Sequence, residues 1–345
     1  MLTHAASVFL LHFLPKQVLW NRLVRDLSVG LYTFQPCFSG RSALFSLASE
    51  LRGHGESQRV ALVPEYVCNV VPKAFSLAGY KILTYGTNAV LEAEWDEVAK
   101  LVVETKPRVL VGASIFGSSA LLFELEDPHK QAFLRSHKVQ VVVDLAQDIR
   151  LRHRLPMNCS DFVHAVLSFN DKSFPGAMGG GILSERTVPR LGEMSTTLES
   201  CLLLYRMAIG RCLAPLLRLA KREPKGRLSS SNQTYEYSFC ETFPYCIDKQ
   251  TLAPLKLQLI MAYIGSKLIG VFDARKRILL RRGLHLNTAF SATAAYVMVK
   301  NEPFEHDVRE VRSRRRKAPY GIEGNSAISL RPTDLILHNK GFADL

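Results

Sequence analysis

The chain has 345 residues, 47% of them hydrophobic and 22% charged, enough for one large α/β domain with a smaller appendage rather than a string of modules. Its seven cysteines (Cys37, Cys68, Cys159, Cys201, Cys212, Cys240 and Cys246) are odd in number and form no CxxC pair, which fits reduced thiols in the cytoplasm and excludes a disulfide framework or a zinc site. A net charge of +13 implies attraction to something anionic: nucleic acid, a membrane surface or a phosphorylated substrate.

The first apolar run, Ala5 to Pro15, is too short to span a bilayer and lacks a basic leader, so neither a transmembrane helix nor a signal peptide is expected. From residue 40 to 185 short β-branched runs alternate with longer helical patterns, the signature of βαβ units around a mostly parallel sheet. Strands are expected at Val60–Val63, Ile82–Tyr85, Val109–Ala113, Val139–Val143, Ala165–Phe169 and Gly181–Ser184. Helices are expected over Ser42–Arg52, Val70–Ala78, Trp95–Thr105 and Pro128–His137, crossing over a sheet covered on both faces.

Beyond this, Leu191–Leu219 reads as helical, Arg222–Asn232 as an exposed loop, and Thr251 to about Arg282 as a second long helix before a short basic C-terminal part. The boundary between a large domain, 1–245, and a smaller one, 246–345, falls before that helix. No fixed-period repeat appears, so solenoids and propellers are excluded. The basic cluster Arg312–Lys317 has no interleaved aromatics and reads as a solvated face rather than a nucleic-acid patch.

In open α/β sheets ligands sit beyond the carboxyl ends of the strands, and four such ends carry polar groups. Ser39-Gly40-Arg41-Ser42 opens a helix, either as ordinary capping or as a phosphate site built from backbone N–H groups and the helix dipole. Asp144, directly after a buried strand and three residues before Gln147, either caps the next turn or meets a cation such as a protonated pyridine nitrogen. Ser168 is followed by Lys172 and then Gly179-Gly180-Gly181; this lysine is either solvated or placed for Schiff-base chemistry beside closely approaching backbone. Tyr66 and Cys68 are either core residues or the face over a planar ligand.

These four stretches, in this order, resemble the DegT/DnrJ/EryC1/StrS family of sugar aminotransferases, over about residues 39–185 and again near 251–277. The resemblance implies the PLP-dependent transferase fold type I, a three-layer α/β/α domain with a smaller C-terminal α+β domain, and pyridoxal 5'-phosphate (PLP) as cofactor. It implies a phosphate turn at Gly40, Arg41 and Ser42, Asp144 on the pyridinium nitrogen, Gln147 near the phenolic oxygen, Ser168 on the phosphate and Lys172 as the Schiff-base residue.

The sequence also departs from the family. Lys172 stands one residue closer to its serine than in most members, and Cys68 aligns with the stacking aromatic, so either Tyr66 takes over that face or stacking is lost. Phe239–Pro244 occupies the place of the Gly-Tyr-Asn-x-Arg element. The implied activity is transfer of an amino group from an amino acid, glutamate by expectation, to a keto-sugar, nucleotide-linked by expectation, in glycan, antigen or natural-product biosynthesis. A homodimer is implied as well. The alternatives are a PLP enzyme of elimination or dehydration and a weakened paralogue acting as a binding or scaffold partner.

Overall fold

The computed structural model describes residues 13–37, 39–52, 59–88, 91–115, 118–169, 179–186, 259–260 and 262–263, and the backbone of 296–300 and 334–338. The chain divides into two compact units, residues 1–189 with 254–345, and residues 190–253. The expected domain boundary at 245/246, the helices over Leu191–Leu219 and most of Thr251–Arg282, the loop Arg222–Asn232, the cluster Arg312–Lys317 and the Phe239–Pro244 stretch lie outside the described residues.

Seven strands form one sheet: β1 (Thr33–Cys37), β2 (Arg59–Pro64), β3 (Tyr80–Tyr85), β4 (Val109–Ala113), β5 (Gln140–Asp144), β6 (Val163–Ser168) and β7 (Gly180–Ser184). Their order is β1-β7-β6-β5-β4-β2-β3. The pairs β2–β3, β2–β4, β4–β5 and β5–β6 are parallel, while β7 runs antiparallel to both β6 and β1. A separate antiparallel pair joins β8 (Tyr296–Lys300) to β9 (Asp334–His338).

Among the described residues, five α-helices precede or connect these strands: α1 (Lys16–Leu27), α2 (Gly40–Arg52), α3 (Val70–Leu77), α4 (Trp95–Thr105) and α5 (Pro128–Ser136). Because side chains alternate along a strand, β2, β4, β5, β6 and β7 each feed two cores. Leu62, Leu110, Val141, Val143, Val163, Ala165, Leu167 and Leu183 pack in one cluster with Leu19, Leu23 and Leu27 of α1, Val98 and Val102 of α4 and Leu134 of α5. The alternate residues, among them Val63, Val111, Val142, Val166 and Ile182, are buried on the other side, where α2 packs on α3 and on β6 and β7. Continuous apolar strands are what a sheet covered on both faces requires.

Between residues 40 and 185 the expected strands and helices are present, with ends shifted by up to two residues. Besides β8 and β9, β1 and α1 were not expected. β1 is an edge strand that contains Pro36, a residue tolerated there because an edge needs only one side of the ladder. Helix α1 starts behind Pro15 and buries Leu19, Leu23 and Leu27, one stripe at i, i+4 and i+8.

A buried polar trio, His164, Gln140 and Ser184, is set inside the sheet. His164 of β6 is 1% exposed and bridges Ser184 Oγ (2.9 Å from Nδ1) and Gln140 Oε1 (3.2 Å from Nε2). Burial pushes its imidazole down to about 4, with the Arg186 charge adding to the effect. An unfolded chain protonates this group near 6.5, so stability is complete above that pH and is lost as pH falls toward 4, by about 3 kcal/mol in all. Equilibrium unfolding at neutral pH and at pH about 4.5 should show this loss, and His164→Gln should show a smaller one.

Candidate functional site

The carboxyl edge of the sheet collects the polar residues. Asp144 closes β5 and is in register with Ala113 of β4 and Val166 of β6. Ser168, two residues beyond Val166, is in register with Gly180, and Gly180 with Cys37 of β1. From Cys37 the chain passes to Ser39 and into α2. Two rows, one through Ala113, Asp144 and Val166 and one two residues further on through Ser168, Gly180 and Cys37, therefore bring Asp144, Ser168 and the start of α2 to the same edge.

The start of α2 is built by a reciprocal cap. Ser39 Oγ accepts the Ser42 N–H (3.1 Å), Ser42 Oγ accepts the Ser39 N–H (2.8 Å), and the Ser42 hydroxyl donates to the Ser39 carbonyl (2.8 Å). This is a serine version of the capping box. The Ser42 hydroxyl and N–H both serve that cap and the residue is 2% exposed, so Ser42 would serve a ligand by shaping the turn. First-turn N–H groups have no intrahelical acceptor, and together with the helix dipole they favour a phosphate.

Close packing fixes where that helix points. A Cβ on Gly40 would stand 2.6 Å from Ser168 Cβ and 2.9 Å from its Oγ, so the first residue of α2 lies against the Ser168 hydroxyl. A Cβ on Gly180 would stand 2.5 Å from the Gly40 nitrogen and 2.6 Å from the Leu167 oxygen. The glycine run was read as room for a ligand; at Gly180 the close approach is made by the chain's own backbone.

Asp144 is 9% exposed, and its Oδ1 accepts the Ala146 N–H at 3.0 Å, which orients the carboxylate. Its carbonyl accepts both the N–H (2.9 Å) and the hydroxyl (3.1 Å) of Ser114, a 1%-exposed residue after β4 that sequence reading passed over. Gln147 is buried one turn on. Tyr66 is buried and Cys68 half-buried after β2, with the Cys68 carbonyl accepting the Val71 N–H at 2.8 Å. Arg41 is half-buried in the first turn of α2.

Lys172 lies outside the described residues, but both ends of its loop are placed. The chain leaves β6 at Phe169 and returns at Gly179, where the Phe169 N–H donates to the Gly179 carbonyl at 3.0 Å. Lys172 is four residues from Ser168, so its Cα lies within about 14 Å of that residue's Cα.

Two further residues escaped sequence reading. Glu92 takes the Ser119 N–H (2.6 Å) and hydroxyl on its two carboxylate oxygens, pinning the loop after β4. Burial raises its carboxyl, and the Ser119 hydrogen bonds oppose that rise. The basic turn Ile149–Arg154, just after Gln147, contains Arg150, Arg152, His153 and Arg154. Three arginines in five residues beside a strand end was the available signal. Among the described residues, no group of histidine, cysteine and acidic side chains could hold a metal ion, and no helix is long and apolar enough to cross a membrane.

The fold is that of the PLP-dependent transferases of fold type I, a mostly parallel seven-stranded sheet with one reversed strand. Bna3p from Saccharomyces cerevisiae, a proposed kynurenine aminotransferase, is similar at a TM-score of 0.50 and 12% identity, over 96% of this chain and 80% of its own. The proposed sugar aminotransferase Spr1654 from Streptococcus pneumoniae is similar at 0.51 and 13% identity, over 83% of this chain and 70% of its own, in apo and PMP forms alike. This chain spans between 60% and 80% of the length of the solved chains it resembles. No protein-family model and no curated protein matches it.

Proposed function

We propose that this protein is a PLP-dependent aminotransferase that moves an amino group from an amino acid such as glutamate to a nucleotide-linked keto-sugar, as a homodimer in the cytoplasm. One observation carries the reading: a phosphate cradle, made of the first turn of α2 and Ser168, shares a sheet edge with a buried carboxylate, Asp144. That is the donor set a phosphorylated pyridine needs, an anion site and a partner for a ring cation.

When bound, PLP supplies the electron sink that makes the α-proton of an amino acid removable. The chain's own residues do the rest. The first-turn N–H groups of α2 at Gly40 and Arg41, in a turn that the Ser42 cap shapes, would fix the phosphate with the Ser168 hydroxyl. Asp144, pre-oriented by Ala146 and Ser114, would keep the ring nitrogen protonated, and Gln147 would face the phenolic oxygen. Tyr66 and Cys68, following β2, would flank the ring. The Lys172 amine would hold the cofactor's aldehyde and then carry the α-proton.

The anionic acceptor is supported by the +13 charge, and the sugar by the likeness to Spr1654. Free Cys37, Cys68 and Cys159 are in keeping with a cytoplasmic protein. The test is borohydride reduction of protein purified with PLP, followed by peptide mapping. Label on Lys172, a near-visible absorbance band and its loss in Lys172→Ala are expected. Folded protein without label at Lys172 overturns the reading. A labelled protein with no half-reaction toward any amino donor points instead to elimination chemistry or a scaffold.

A further inference from the structure

The turn Ile149–Arg154 contains a guanidinium that the fold does not satisfy. Arg152 is 9% exposed, and its only hydrogen bond among the described residues runs from Nη1 to the Ile149 carbonyl at 2.9 Å. Its Nε is buried and has no acceptor. What remains is the Nε–Nη2 edge, the fork that takes two oxygens of a carboxylate or phosphate in parallel bonds. A buried cation left this way costs several kcal/mol unless an anion answers it.

The surroundings add positive charge. Arg150 acts on Arg152 as a like charge, and both push the exposed His153 imidazole down, after the effect of its own burial. Asp148 is the one carboxylate acting on Arg152 among the described residues, and its Oδ1 is turned to the Arg150 N–H at 3.1 Å. At Arg152 the like charge of Arg150 outweighs the opposite charge of Asp148, which favours a dianion over a single carboxylate.

We propose that Arg152, with Arg150 and His153 beside it, forms an oxyanion site for a phosphate group, separate from the cradle at α2. The group comes either from free phosphate or from the diphosphate of a nucleotide ligand. The site stands on Arg152 and does not depend on the proposed transferase activity.

The experiment is thermal unfolding of the full chain, with PLP present, against increasing inorganic phosphate or UDP, with chloride at matched ionic strength as the reference. A saturable rise in Tm beyond chloride is expected in the wild type and in Gly40→Ala, whose α2 cradle is obstructed, and is expected to vanish in Arg152→Gln. If Arg152→Gln does not fold, Arg150→Gln and His153→Gln should each weaken the rise, and the His153 imidazole, followed by NMR, should titrate at higher pH when phosphate is bound. A larger effect of UDP than of phosphate identifies a nucleotide as the source; equal effects identify free phosphate.

A rise no larger than that with chloride overturns the proposal, as does one that persists in Arg152→Gln or is lost in Gly40→Ala alone. Failure of Lys172 to take label leaves this result untouched. Dissociation of an oligomer in Arg152→Gln without any phosphate effect would assign the guanidinium to a partner chain's carboxylate and overturn it too.

Discussion

Gly180→Ala is expected to lower stability by about 2–3 kcal/mol and to weaken PLP retention at least tenfold, the largest effect of any single methyl group at this site. The new Cβ would stand 2.5 Å from the Gly40 nitrogen, 2.6 Å from the Leu167 oxygen and 2.8 Å from the Ser39 carbonyl carbon. All three are backbone atoms, two at the start of α2 and one in β6, so no side chain can rotate away. Either β7 parts from β6, costing ladder hydrogen bonds at the Ser168–Gly180 end, or the start of α2 lifts away from Ser168 and opens the cradle. Urea unfolding and PLP titration by absorbance measure the two effects. Ser168→Ala is the control: it removes one hydroxyl without a clash, and should reduce affinity by about 1 kcal/mol with stability nearly unchanged. Wild-type PLP affinity in Gly180→Ala would show that the phosphate is not held at this junction.

The strands from β2 to β7 were legible because a sheet covered on both faces leaves continuous β-branched runs such as Val141-Val142-Val143. β1 was not, since Thr33-Phe34-Gln35-Pro36-Cys37 carries a proline and a glutamine and owes its place to pairing with β7, 143 residues further on from Cys37 to its partner Gly180. Helix α1 had a readable stripe at Leu19, Leu23 and Leu27, hidden behind the more conspicuous apolar run before Pro15. At the site, Ser39, Asp144 and Ser168 were legible as residues following strands or opening a helix. Their shared edge was not, because it depends on the strand order and on β7 reversing. Glu92, Ser114 and His164 gave no local signal: each matters through a partner 20 or more residues away, Ser119, Asp144 and Ser184.

Asp144→Asn tests the chemistry without disturbing the scaffold. An asparagine Oδ1 can still accept the Ala146 N–H, and the Ser114 bonds to the residue 144 carbonyl do not involve the side chain, so the folded state should survive with little loss. What disappears is the negative charge that the proposed function sets against the ring nitrogen. A neutral amide cannot stabilise a protonated pyridine, and in a site where Asp144 is 9% exposed, water offers little compensation. Loss of one such preorganised electrostatic group lowers turnover by roughly 100- to 1,000-fold. The expected result is therefore a folded protein that still binds PLP and takes borohydride label on Lys172, with the amino-donor half-reaction slowed by that factor. Asp144→Glu keeps the charge but lengthens the side chain inside a buried turn, so its losses should fall mainly on stability. An Asp144→Asn protein with an unchanged half-reaction would remove Asp144 from the chemistry and leave it as the cap of the turn at Ala146.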